Sequence, residues 1–188
     1  FDFGNGLTGT ITVMNRKKNI DRAVIFDTNP NTASQQAMDN DPDLVGPLTN
    51  ANDPNDVRPD LGNVLIIDEI NSNGYPDDQA GPGGSITFAF DRAIDLTSVT
   101  ILDGEENISL ITENITVGNL GAEDNEFEVL NFDSIAGIRE FTVDFAGSGA
   151  LASFSARVSV VPLPAPALLL LSAIAGLGWL GWRRRQAA

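Results

Sequence analysis

The chain has 188 residues, 26 acidic and 11 basic side chains, a net charge of −15, and neither cysteine nor histidine. That composition excludes disulfides, thiolate and imidazole metal sites, and the Ser-His-Asp and Cys-His nucleophile systems. So acidic a surface repels nucleic acid and anionic lipid, and suits divalent cations or plain solubility.

Short runs that are β-branched or alternate apolar with polar dominate the chain from its start. "GTITVM" (9–14), "RAVIF" (22–26) and "NVLIIDEI" (63–70) read as strands. So do "SITFAF" (85–90), "SVTIL" (98–102), "ENISLI" (106–111) and "ENITVG" (113–118). "EFEVLNF" (126–132), "IREFTVDF" (138–145) and "ALASFSARVSV" (150–160) complete the set. In "SITFAF", Ile86, Phe88 and Phe90 share one face, and Phe154, Ala156, Val158 and Val160 alternate with serines and Arg157. Period 2 with frequent turn signals predicts an all-β domain over residues 1–160, an antiparallel β-sandwich of jelly-roll-like form. Residues 27–62 are rich in Asn, Asp and Pro and show almost no period. They are expected to be a long loop, with one short helix in "NTASQQAMDND" capped by Thr32 or Ser34.

The last 28 residues, 161–188, differ in kind. From Leu163 to Trp182 only Ser172 carries a hydrogen-bonding side chain outside Trp179 and Trp182. Twenty residues of helix span about 30 Å, the thickness of a bilayer's hydrocarbon core. Pro162, Pro164 and Pro166 stand at its start, where a missing N–H breaks no helical bond. Two tryptophans and three arginines follow at the far end, as a membrane interface and a positive-inside flank require. The expectation is one transmembrane helix, with the acidic domain outside the cytoplasm. Removing the three tail arginines leaves 8 basic against 26 acidic residues in the domain, net −18. The chain starts at Phe1 rather than Met, as it would after removal of a signal peptide.

Val161-Pro162-Leu163-Pro164-Ala165, then the apolar run, then Arg183-Arg184-Arg185, resembles the PEP-CTERM class of bacterial sorting signals in its VPLPA variant. The three parts in this order are more specific than any one of them. The resemblance implies processing by exosortase, a membrane-embedded cysteine protease or transpeptidase. It also implies passage to the cell surface of a bacterium that makes extracellular polysaccharide. The middle of the chain is similar to an ectodomain that recurs in such surface proteins. It matches at "FDTNP" (26–30), "DPDL" (41–44), "GNVLIIDE" (62–69), "PDD" (76–78), "GGSITFAF" (83–90) and "VTILDGEE" (99–106). That likeness implies no activity.

Three acidic loops carry the remaining chemistry. Asp39, Asp41 and Asp43 stand at spacing two, as oxygen ligands of Ca²⁺ can. The pattern departs from an EF-hand at Leu44 and Asn50, positions six and twelve. Counting from Glu69, oxygen-bearing side chains fall at Glu69, Asn71, Asn73 and Asp77, with Gly74 at position six and Asp78 beside them. Position twelve is Ala80, so no bidentate glutamate closes the loop. The third loop holds Asp103, Glu105 and Glu106. The metal reading is that two loops meet and bind structural Ca²⁺; the plain reading is solvated turns. An enzyme would have to work with carboxylates alone, among Asp68, Glu69, Asp103 and Glu105, and the domain lacks a tryptophan platform for sugar rings. A non-enzymatic role is expected. "NIS" (107–109) and "NIT" (114–116) match glycosylation sequons, patterns short enough to arise by chance. The function read from the sequence is an exported, non-catalytic surface or matrix protein. The alternative is a Ca²⁺-dependent carbohydrate-binding module in the polysaccharide matrix.

Overall fold

The computed structural model describes residues 1–16, 21–32, 41–68, 81, 83–104, 107–120 and 123–159. They form ten strands: β1 (Gly9–Asn15), β2 (Ala23–Asp27), β3 (Leu48–Asn50), β4 (Asp53–Arg58), β5 (Asn63–Ile67), β6 (Gly84–Leu102), β7 (Ile108–Thr112), β8 (Thr116–Leu120), β9 (Glu126–Phe145) and β10 (Ala150–Val158). A 3₁₀ turn at Pro42–Leu44 is the sole helical element among the described residues.

The expected all-β class holds, but the pairing differs from the expectation. All ten strands join one sheet, and β3 runs parallel to β9, so the sheet is mixed rather than antiparallel throughout. The central path runs β2-β5-β10-β6-β9-β3-β4, with β1 on β6 and the β7–β8 hairpin on β9. The runs at 85–90 and 98–102 belong to one strand of 19 residues, and those at 126–132 and 138–145 to one of 20. Between the runs of β6 lies "DRAIDLT" (91–97), which belongs to neither expected strand. The strand instead continues through register shifts between Ala89 and Ser98. Such bulges bend a strand and sharpen its twist. The bend curls the sheet into a half-barrel.

The curl explains the first core. The first half of β6 pairs with β1, the second half with β10. Bending brings Phe88 of the first half over Phe154 of β10, ring centroids 5.2 Å apart and edge to face. Phe141 of β9 lies 4.9 Å from Phe88 and 5.2 Å from Phe154, and Phe3 packs on the same group. Edge-to-face and offset rings at these distances add about 0.5–1.5 kcal/mol per pair beyond burial. A second core lies on the other face of β5 and β10. It joins Phe26, Leu44, Val45, Leu48, Val64, Ile66, Leu102, Phe127 and Ala150. Since β5 is covered on both faces, its apolar run is nearly continuous, unlike the alternating strands.

Residues 27–62 are more ordered than their composition suggests, containing β3, β4 and the 3₁₀ turn. The helix expected within residues 31–41 falls mostly at 33–40, which, like the expected transmembrane helix, lie outside the described residues. Among the described residues no helix is long and apolar enough to cross a membrane.

Candidate functional site

The strand register gathers the acidic loops at one end of the sheet. Ala150 pairs with Ile66 on one side and Leu102 on the other. Asp68 and Asp103, which follow β5 and β6, therefore leave the sheet on either side of Ser148 and Gly149. With neighbouring strands about 4.8 Å apart, those two backbones stand about 10 Å from each other. β9 starts at this same end, because Leu102 pairs with Phe127.

Asn125 and Glu126 join two of the loops. The Asp103 N–H donates to the Glu126 carbonyl at 3.0 Å. The Asn125 side-chain amide lies 3.1, 2.8 and 3.1 Å from the carbonyl oxygens of Pro42, Asp43 and Val45, donating to them. Asn125 adopts φ +56°, a left-handed conformation that asparagine tolerates better than most residues. The Asp41–Val45 turn is thus clasped against the start of β9, with Asp103 bonded to the next residue. Asp41 and Asp103 are each 4% exposed, and Asp43 is half-buried. Carboxylates so deeply placed need protons, cations or hydrogen-bond donors around them.

The loop of Glu69 follows Asp68, whose carboxylate is fully buried and held by Nε and Nη2 of Arg22. The Asn15 side chain donates to the Asp68 carbonyl at 3.1 Å, tying β1 to this end. Gly149 fits between β10 and its neighbours only without a side chain. It adopts φ +137°, and a Cβ there would stand 2.8 Å from the Phe145 ring and 3.1 Å from the Asp103 carbonyl.

Of the sequence-predicted metal ligands, Asp41 and Asp43 fall in the clasped turn. Asp39, Glu69, Asn71, Asn73, Asp77 and Asp78 lie outside the described residues, as do Glu105, Val161–Ala165 and Arg183–Arg185. Among the described residues no three acidic side chains close on a point that could hold a metal. Asn125, Arg22 and Ser148 belong to this end of the sheet and had no sequence signal, since their partners are distant in the chain. The local cue was Asn125 itself, in an Asp-Asn dipeptide suited to a left-handed turn.

Four other aspartates titrate below the usual carboxylate range. The Thr32 hydroxyl and Asn29 N–H hold Asp27 down, Arg58 and Asn50 hold Asp56, the Thr8 N–H holds Asp91, and the Ser159 hydroxyl and Gly137 N–H hold Asp95. None of the four lies in the acidic loops; they fasten turns and strand bends. An apolar cleft of about 340 Å³ opens elsewhere, lined by Ile25, Leu65, Phe88, Leu151 and Phe154, with no acid or base in its wall.

No family model, no curated protein and no solved structure matches the chain.

Proposed function

We propose that this protein is an exported cell-surface or extracellular-matrix protein with a structural or interaction role rather than a catalytic one. The observation that carries the reading is the sequence of the tail: Val161–Ala165, then the apolar run to Trp182, then Arg183–Arg185. In this reading the tail spans the membrane once and is the handle for an exosortase-type processing enzyme. The acidic all-β domain, a curled sheet folded about its phenylalanines, stands outside the cytoplasm. Pro164→Ala, or Arg183–Arg185 changed to aspartate, leads to retention or mislocalisation when surface display of the full chain is followed. Normal display of both variants overturns the sorting reading.

A second reading is Ca²⁺-dependent carbohydrate binding in an extracellular polysaccharide matrix. The meeting of the Asp41–Asp43 and Asp103 loops at Asn125–Glu126 favours it. Ca²⁺ at a hundred times its dissociation constant would add about 2.7 kcal/mol to stability. The full chain is melted in EDTA and across a Ca²⁺ titration, then offered to a glycan array with and without EDTA. A saturable rise in melting temperature with EDTA-sensitive glycan binding supports this reading; a flat titration removes it.

A further inference from the structure

We infer that the free edge of β2 pairs antiparallel with β2 of a second copy, through a twofold axis at Ile25. The inference rests on backbone geometry and is independent of the sorting and calcium readings. β2 ends the sheet, pairing with β5 alone. Thr28 donates to Gly62, and Arg22 accepts from Asp68. In an antiparallel ladder alternate residues face the partner, so Arg22, Val24, Phe26 and Thr28 turn their backbone groups to β5. Ala23, Ile25 and Asp27 turn theirs outward, where no described residue pairs with them.

The other edges are poorer templates: the outer side of β10 from Ser153 to Val158 carries Arg157 and two serines. β4 carries Asp53, Pro54, Asp56 and Arg58, the residues that blunt an edge. On β1 the outward groups of Gly9 are bonded to Phe1, and the Asn15 N–H to the Asp21 carboxylate. β8 has Gly118 and Asn119, both weak strand formers. β2 carries no charge from Ala23 to Phe26, and Ile25 is 71% exposed.

Outward N–H and C=O groups in a row require an extended strand as occupant. A second β2 fits its own edge. With Ile25 opposite Ile25, Ala23 faces Asp27 on both sides of the axis, and every outward group of the three residues is paired. Val24 then faces Phe26 across the join, and the two Ile25 side chains cover each other at the mouth of the apolar cleft. A five-residue strand contact falls well short of the roughly 1,200–2,000 Å² of a stable complex. Two chains of net −15 also repel. The pair is therefore transient in dilute solution, and strengthens with crowding and with salt, which screens the repulsion.

The chain has no cysteine, so one introduced thiol reports the contact without background. Opposed Cα atoms in a hydrogen-bonded antiparallel pair lie about 5.5 Å apart, within disulfide range. Full-length Ile25→Cys is oxidised mildly and followed on non-reducing gels beside Val57→Cys, an exposed position on β4. Ile25→Cys is expected to form covalent dimer several-fold faster, the more so at high salt. An equal mixture of Ala23→Cys and Asp27→Cys is expected to cross-link between the two variants. Equal rates at Ile25 and Val57, or self-linking of Ala23→Cys in preference to Asp27→Cys, would falsify the inference.

Discussion

The two cores of this half-barrel are built differently. The first lies inside the curl and is filled from strands with strict alternation: Phe88 and Phe90 in β6, Phe141 in β9, Phe154 in β10. Its residues face inward because a pleated strand leaves them no other direction. The second lies on the outer face, and three of its members, Leu44, Val45 and Leu48, arrive on a segment whose sequence has almost no apolar period, Leu44 in the 3₁₀ turn and Leu48 at the start of β3. That segment is kept in place by polar clasps. Asn125 holds the carbonyls of Pro42, Asp43 and Val45. The buried Thr28 hydroxyl donates to Gly62 and accepts from the Leu61 N–H, both at 2.9 Å. Gly46 approaches so closely that a Cβ would stand 1.9 Å from the Pro59 carbonyl. One core is apolar area alone; the other is apolar area delivered by hydrogen bonds.

The contrast can be broken at several points. Phe141→Ala opens a cavity where three rings meet, and is expected to cost about 3–5 kcal/mol in denaturant unfolding. It should affect the whole domain and leave any Ca²⁺ response in place. Asn125→Ala removes the donor from three carbonyls and is expected to cost about 1–3 kcal/mol. Its effect should be local first: amide exchange should rise at residues 41–48 before it rises in β6 or β9. If the acidic loops bind calcium, this variant also weakens the response to the titration. A uniform rise in exchange would mean that the two cores unfold as one. The smallest effect belongs to pH. Asp27, Asp56, Asp91 and Asp95 have folded-state pKa values below the ordinary one. Their contribution is present above the ordinary carboxylate pKa and is lost as pH falls through the lower folded values. Melting temperature should therefore fall below about pH 4, and Asp95→Asn should flatten that fall slightly, since all four groups are solvated.

The first core was legible in the sequence and the second only in part: Phe26, Val64, Ile66, Leu102, Phe127 and Ala150 lie on strands read from the sequence, whereas Leu44, Val45 and Leu48 do not. Period 2 located β1 and both halves of β6 and β9, because burial on one face writes itself into alternate positions, and a β-branched apolar run located β5. It divided β6 at Asp91–Asp95, where charged residues interrupt the alternation. In the fold those residues serve the bend: Asp91 N–H reaches Thr8, and the Asp95 carboxylate takes the Gly137 N–H. β3 and β4 were hidden because "LTN" and "DPNDVR" carry no apolar alternation. Their order comes from pairing with each other and from the parallel contact of Thr49 and Asn50 with β9. The acidic residues were legible as candidate ligands, and a meeting of two loops was one of two readings left open. Which two meet was not legible, since it depends on β9 lying between β6 and β3, a matter of strand order that no local pattern records.

The position of β10 also has a mechanical side. It is an interior strand, bonded to β6 along eight paired positions and to β5 at two more. The chain beyond Ser159 continues directly from its end. A pull applied there and directed along the strand loads the β6 ladder in shear, so its bonds share the force instead of opening one after another. Whatever holds the chain by its last residues grips the domain through a strand bonded to β6 from end to end.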